Sequence, residues 1–225
     1  VLDQTNLGIG INNFPPEFMA NLNIGNLIIH GGRKTVIDSI QFNKKSLKVL
    51  TLKNIDMSTN PDDFWLAFSG SSVKSIHIEG GKLNTIFRTF GQAFSQLKFA
   101  TFTNCQLQTI QAEPTKGKVN AFETLKKLKF LTLSHNNLNN IDWLYQSNIV
   151  YVGSYDSLVR LDLSSNKINN ILLGTFNKGL FPQLKYLDLK DNPFTHSREY
   201  IQPPMFDQFT ELWIDFKNKH NIEDE

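Results

Sequence analysis

The chain has 225 residues, of which 40% are hydrophobic and 20% are charged, a composition typical of a globular protein that can bury a sizeable core. Its 23 basic and 21 acidic side chains leave a net charge of +2, which gives no reason to expect a nucleic-acid or membrane-surface partner. The longest apolar runs are short, so we expect no membrane span.

One spacing of hydrophobic residues recurs along the chain. A repeat of this length is the sequence signature of a solenoid or other repeat architecture. Segments 128–141 and 158–171 both follow L-x-x-L-x-L-x-x-N-x-L-x-x-I, and a third copy runs from Leu184 to Phe194. Weaker copies precede them, so that repeats start at residues 24, 47, 73, 97, 128, 158 and 184. We predict a single domain: 1–23 form a partial N-terminal repeat, 24–196 about seven repeats, and 197–225 a C-terminal cap and tail.

Within each repeat the leucines alternate with other residues, so the leucines face one side of a strand and the intervening residues face the other. Successive strands are expected to stack in parallel, because one coil cannot bury its own apolar face. We predict at least six parallel strands, centred on Leu50–Leu52, Ile76–Ile78, Ala100–Phe102, Leu131–Leu133, Leu161–Leu163 and Leu187–Leu189.

The ninth position of the repeat is an asparagine in the last three copies, and Ile55, Gly81 and Cys105 occupy it in the three before them. A buried amide can bridge backbone groups of its own turn and of the neighbouring turn. We therefore predict a ladder of asparagines that includes Asn136 and Asn166. Cys105 should be buried and unreactive.

This pattern resembles the leucine-rich repeat, and several return segments add an aromatic about six residues before the next strand. The residues concerned are Phe18, Phe42, Phe90 or Phe94, Phe122 and Phe176. They resemble the "typical" subtype of animal extracellular repeats, as in Toll-like receptor ectodomains and cell-surface adhesion proteins. The resemblance implies an α/β solenoid, a right-handed curved horseshoe with a parallel sheet on its concave face and irregular or short helical segments on its convex face. The chain lacks the cysteine-rich caps of many such proteins.

Two return segments are longer than the others, and the C-terminal region departs from the repeat. Segment 111–120 is polar and contains Pro114 and Gly117, which predicts a surface loop. Segment 142–156 carries extra aromatics that either pack beneath the loop or form a second contact surface. They are Trp143, Tyr145, Tyr151 and Tyr155. Residues 206–216, with six apolar positions, predict an amphipathic cap without disulfides.

The sequence contains none of the common hydrolase, metalloprotease or nucleotide-binding motifs. Segment 31–35 lacks the glycine spacing of a phosphate loop, so we interpret it as a turn. His30, His77 and His135 fall on alternate repeats, roughly 10 Å apart, which is too far for one zinc ion. We predict no enzyme activity, no cofactor and no metal.

Asp162 and Asp188 occupy the same outward position on adjacent predicted strands, with Cβ atoms about 5 Å apart. A retaining glycosidase uses a carboxylate pair at that distance. The predicted face is open, however, so we interpret the pair as a solvated acidic patch.

The outward strand positions bring two aromatics together, because Phe99 and Phe130 share one position on neighbouring strands. Exposed aromatic anchors are enriched at binding hot spots. The alternative is that the rings only pair across strands, which contributes ~0.2–1 kcal/mol to the sheet. The predicted partner-binding residues are Phe99, Thr101, Phe130, Thr132, Arg160, Asp162, Tyr186 and Asp188, with a basic group of the partner near the two aspartates.

We predict a non-enzymatic module that binds a protein or peptide, not nucleic acid, through its concave face. The resemblance implies an extracellular or cell-surface protein of the innate-immune or adhesion type. A single cysteine and the lack of an Asn-x-Ser/Thr acceptor leave a cytoplasmic location open. The alternative is a structural or self-association module that forms a homodimer through an edge or the convex face.

Overall fold

The structure is a computed structural model that describes residues 2–3, 23–31, 45–58, 61–66, 68–111, 120–144, 154–172, 174–194 and 206–215. The helices within these ranges are α1 (Pro61–Leu66) and α2 (Arg88–Ala93), and a 3-10 turn lies at Asp142–Leu144. The strands are β1 (Leu2–Asp3), β2 (Asn26–His30), β3 (Val49–Asp56), β4 (Ser75–Lys82), β5 (Thr85–Ile86), β6 (Phe99–Thr103), β7 (Thr109–Ile110), β8 (Phe130–Thr132), β9 (Arg160–Asp162), β10 (Tyr186–Asp188) and β11 (Glu211–Trp213). No helix within these ranges is long and apolar enough to cross a membrane.

Nine of these strands form one parallel sheet in the order β1-β2-β3-β4-β6-β8-β9-β10-β11. Each predicted strand pairs with the next repeat at equivalent positions, as Leu50 does with Ile76 and Leu131 does with Leu161. The parallel sheet with short convex helices confirms the predicted solenoid. Strands β5 and β7 form a second, two-stranded parallel ladder in the return segments.

The core follows from the alternation of buried and exposed residues along each strand. In β3 the pattern places Leu50 and Leu52 inside with no exposed surface, while Val49, Thr51 and Lys53 keep part of their surface accessible. Equivalent residues of successive coils stack on one another, so that the buried side chains form one continuous hydrophobic core. Each coil thus contributes a layer to this core.

The asparagine ladder is present in the last repeats. The Asn136 side-chain oxygen accepts the N–H groups of Cys105 at 3.0 Å and Leu107 at 3.1 Å, and its amide nitrogen donates to the Phe102 carbonyl at 2.8 Å. Asn166 repeats the arrangement one coil later, accepting from the Leu138 N–H at 3.1 Å. Each amide therefore joins its own turn to the preceding coil, as predicted.

Strands β3 and β4 run for eight residues, through the ninth position of their repeats. Ile55 and Gly81 occupy this position, and they pair with each other in the extended sheet. Gly81 has φ = 82°, and a Cβ there would collide with the Ile55 carbonyl oxygen. Only glycine combines this left-handed backbone with so close an approach of the two strands.

The return segments carry an aromatic layer beneath the sheet. Phe90, Phe94 and Phe122 are buried at the predicted positions, and Phe176 is also buried. Trp65 of α1 was not predicted to belong to this layer, yet it lies edge-on to Phe90 with ring centroids 5.1 Å apart. Phe18 and Phe42 lie outside the described residues.

The two long return segments contribute buried polar contacts to the core. Asn120, predicted to be in a surface loop, is buried, and its amide donates to the Trp143 carbonyl at 2.8 Å and to the Tyr155 hydroxyl at 2.8 Å. The surface-loop prediction is therefore wrong at Asn120, because the side chain satisfies groups of the next coil. Trp143 and Tyr155 are both buried, so these two aromatics belong to the core and not to a second contact surface. Residues 112–119, and with them Pro114 and Gly117, lie outside the described residues, as do Tyr145 and Tyr151.

The predicted amphipathic cap contains a further repeat strand. Leu212 of β11 pairs with Leu187 of β10. Phe209, Leu212 and Ile214 repeat the spacing of the leucines in the preceding coil, a signal that the sequence analysis did not use. The sheet consequently extends one strand beyond the predicted repeats.

Candidate binding face

The open face of the sheet, opposite the core, carries the outward residues of each strand in rows. These rows form because equivalent residues of successive repeats are register partners in the parallel sheet. Phe99 pairs with Phe130, and Phe130 pairs with Arg160. Tyr186 continues the same row beside Arg160. The structure therefore brings the predicted binding residues of this row together.

Phe99 and Phe130 form a stacked pair at the middle of the open face. Their ring centroids are 5.3 Å apart with an interplanar angle of 12°. Phe99 is 41% exposed and Phe130 is 38% exposed, so mutual stacking leaves much of both rings in contact with solvent. Within the described residues, the other exposed large hydrophobic side chains are Leu66 and Leu172, each from a return segment. The pair is thus an exposed apolar area on the open face.

Threonines border the aromatic pair in the next row. Thr101 and Thr132 are register partners, and both are partly buried. Their hydroxyls can donate and accept hydrogen bonds. The arrangement combines an apolar centre with polar neighbours, which is the usual composition of a protein-recognition surface.

The acidic pair at the C-terminal end of the face differs from its prediction. Asp162 and Asp188 are register partners, as expected, but Asp188 is only 9% exposed. Its carboxylate accepts the Lys190 backbone N–H at 3.1 Å, and the Lys190 ammonium lies 3.7 Å from its second oxygen. Asp162 accepts the Ser164 hydroxyl at 2.7 Å. The prediction of a solvated patch is wrong for Asp188, because β11 forms a further strand beside it.

Trp213 is the residue of this region that sequence reasoning missed. It is the register partner of Asp188 on β11. The Arg160 guanidinium lies 5.7 Å from the ring centroid and the Lys190 ammonium 5.8 Å from it. Both distances fall within the range of cation–π attraction. Asp188 is therefore held within a local network of charged and aromatic groups, and it offers little surface to a basic group of a partner.

The histidines do not form a metal site in the described part of the chain. His77 and His135 are exposed, as predicted, and the His77 ring nitrogen lies 2.9 Å from the Ser75 hydroxyl. His30 lies on β2, separated from His77 on β4 by strand β3. Across the described ranges, no three His, Cys, Asp or Glu side chains are grouped to hold a metal ion.

The segment 31–35, interpreted above as a turn, begins at Gly31. The Gly31 N–H donates to the Lys53 carbonyl at 2.8 Å, so it is already used within the sheet. The remainder of segment 31–35 lies outside the described residues.

Cys105 occupies the asparagine position and has no exposed surface. Its sulfur lies 3.4 Å from the Ile78 carbonyl oxygen and 3.2 Å from that of Thr103, so the thiol donates in place of an amide. Burial raises the pKa of the Cys105 thiol from 9.0 to about 12. The thiolate, which is the nucleophile, is therefore disfavoured at neutral pH.

We expect native Cys105 to react with an aromatic disulfide reagent at pH 8 at least about 100-fold more slowly than after unfolding in urea. Absorbance of the released thiolate measures both rates. A Cys105→Ala chain carrying Gln92→Cys, at an exposed position of α2, is the control and should react rapidly while folded. Rapid labelling of native Cys105 would place the thiol outside the buried turn.

Comparisons with known proteins found a repeat model and solved structures that are similar to parts of this chain. A family model described as Leucine Rich Repeat matches residues 157–178, which contain strand β9 and Asn166. No curated protein matches the chain. Among solved structures, an internalin from Listeria monocytogenes is similar, with 17% sequence identity and a TM-score of 0.43. The match covers 77% of this chain and 48% of the internalin chain, so it spans about half of that protein. The fold of this chain is a leucine-rich-repeat solenoid.

Proposed function

We propose that this chain is a non-enzymatic module that binds a protein or peptide through the open face of its sheet, centred on Phe99 and Phe130. The stacked and exposed pair is the observation that carries the proposal. Solenoids of this kind offer extended surfaces for recognition. Large apolar rings left in water are commonly parts of interaction sites.

The open face also suits binding because the fold holds it rigid. The rings of Phe99 and Phe130 project from strands whose alternate residues, such as Ala100 and Leu131, are buried in the core. Rigid aromatic side chains lose little conformational entropy when a partner covers them. Cross-strand stacking therefore preorganises the surface without covering it.

An extracellular or cell-surface location, of the innate-immune or adhesion type, is part of the proposal. The buried aromatics at the subtype positions, Phe90, Phe94, Phe122 and Phe176, support it. The resemblance to extracellular repeats is the basis for this location.

Affinity measurements on matched variants test the binding face. A partner is first isolated on the immobilised chain from extracellular and cytosolic extracts and identified by mass spectrometry, and its Kd is then measured by calorimetry. Phe99→Ala and Phe130→Ala should each weaken binding at least about five-fold, as expected of hot-spot residues. Leu172→Ala, a residue 40% exposed in a return segment, is the matched control and should change the Kd less than about two-fold.

Two results would contradict the proposal. Wild-type affinity in both phenylalanine variants, with folding intact, would place the site on the convex face or the loops. Isolation of the chain only as its own partner, with a dimer by light scattering, would favour the self-association alternative.

A further inference from the structure

A lysine directly precedes four successive strands of the sheet. These residues are Lys48 before β3, Lys74 before β4, Lys98 before β6 and Lys129 before β8. We name them the lysine edge. Backbone hydrogen bonds align them, because the Lys74 N–H donates to the Lys48 carbonyl at 2.8 Å, the Lys98 N–H to Lys74 at 2.8 Å, and the Lys129 N–H to Lys98 at 2.9 Å. With neighbouring strands about 4.8 Å apart, the four backbones span roughly 15 Å.

The segments that carry the lysine edge have no acidic residue of their own, and Asp156 of the adjoining coil pairs with Lys126 at 3.4 Å. Lys48, Lys74 and Lys129 are exposed, and Lys98 is partly exposed. Segments 45–49, 71–75, 95–99 and 125–130 contain no aspartate or glutamate. In the part of the chain that the structure describes, Lys74, Lys98 and Lys129 form no ion pair, whereas Lys53 on the opposite edge pairs with Glu79 at 2.9 Å.

The lysine edge is continuous with the aromatic pair. Lys98 and Lys129 immediately precede Phe99 and Phe130 along the chain. The long, flexible lysine side chains at the start of these two strands can reach a ligand that extends beyond the rings. Aligned like charges repel one another, and an anionic ligand would relieve that repulsion.

We propose that the lysine edge binds an acidic peptide segment of the protein partner, beside an apolar side chain of that partner seated on the Phe99–Phe130 pair. This inference rests on the proposed function, because it describes the chemistry of the ligand at the same face. An extended peptide advances about 3.3 Å per residue, so about five residues match the length of the edge. The neutral Val159 of the next coil interrupts the row, and Lys185 resumes it one coil later, so the four adjacent lysines match a short acidic segment.

A fluorescein-labelled peptide of six glutamates, followed by fluorescence anisotropy at low salt, tests the proposal. The edge variant carries Lys74→Gln, Lys98→Gln and Lys129→Gln. The matched control carries Lys82→Gln, Lys167→Gln and Lys178→Gln, which are exposed lysines at other positions. Both variants lose three positive charges, so any difference between them reports on position rather than on net charge.

We expect the edge variant to bind hexaglutamate about ten-fold more weakly than the wild type, because three exposed charge contacts of individually small effect are lost together. The control should stay within about two-fold, and wild-type binding should weaken as salt rises. Urea denaturation of each variant verifies that the fold is retained. Equal losses in the two variants, unchanged affinity of the edge variant, or no binding of hexaglutamate by the wild type would overturn the proposal.

Two further measurements extend this test. The first distinguishes an acidic peptide from a long polyanion, and the second distinguishes failure of this inference from failure of the proposed function. Tighter binding of heparin or of a thymidine 12-mer, lost in the edge variant, would assign the edge to a long polyanion and overturn an acidic peptide. The isolated partner should bind the edge variant more weakly than the wild type. Wild-type affinity of that partner for the edge variant, together with weakened binding to Phe99→Ala, would overturn the lysine edge and leave the binding face standing.

Discussion

Phe90→Ala is expected to lower the free energy of unfolding by about 3–5 kcal/mol. Phe90 has no exposed surface. Its ring centroid lies 5.1 Å from that of Trp65, 5.3 Å from that of Phe102 and 6.0 Å from that of Phe122. Trp65 belongs to the coil before that of Phe90, and Phe102 and Phe122 belong to the coil after it, so the neighbours on the two sides cannot move together to fill the cavity. The substitution therefore removes both transfer free energy and packing between coils.

Urea denaturation followed by circular dichroism measures this loss. Phe99→Ala is the matched control, because it removes the same ring from a position 41% exposed on the open face. The control should lose at most about 1 kcal/mol, the contribution of a cross-strand pair. A loss below 1 kcal/mol in Phe90→Ala would contradict the aromatic layer described above.

Asn136→Ala is expected to lower the free energy of unfolding by about 3 kcal/mol or more, because several buried backbone groups lose their hydrogen-bond partner at once. The substitution leaves the N–H groups of Cys105 and Leu107 and the carbonyl of Phe102 without the amide that satisfies them. Each unsatisfied buried group costs roughly 1–3 kcal/mol.

Asn139→Ala is the matched control for the asparagine ladder. Asn139 lies three residues further along the same repeat, is exposed, and accepts a hydrogen bond from Asn140 at 2.9 Å. Its removal should change the unfolding free energy by at most about 0.5 kcal/mol. Similar midpoints for the two variants in urea would show that the ladder does not stabilise the coil.

The order and direction of the strands could be predicted from the sequence. The period-two leucines define which residues of a strand enter the core, as at Leu131 and Leu133. Repetition of the motif requires the coils to stack in the same direction. The stacking of Phe99 on Phe130 followed from the same spacing, because equivalent positions of adjacent repeats become register partners. The same repeat register also indicates the strand at residues 211–213 and aligns the lysines that precede the strands.

The surroundings of individual side chains were decided only by the tertiary structure. Asp188 is buried although its position faces outward, because Trp213 occupies the next strand and Lys190 bonds to its carboxylate. Asn120 is buried although its segment is polar, because it satisfies the Trp143 carbonyl of another coil. A repeat pattern specifies where a residue lies within its own coil. The burial and hydrogen bonding of that residue depend on side chains from neighbouring coils, 20 to 30 residues away, whose placement arises only when the coils pack together.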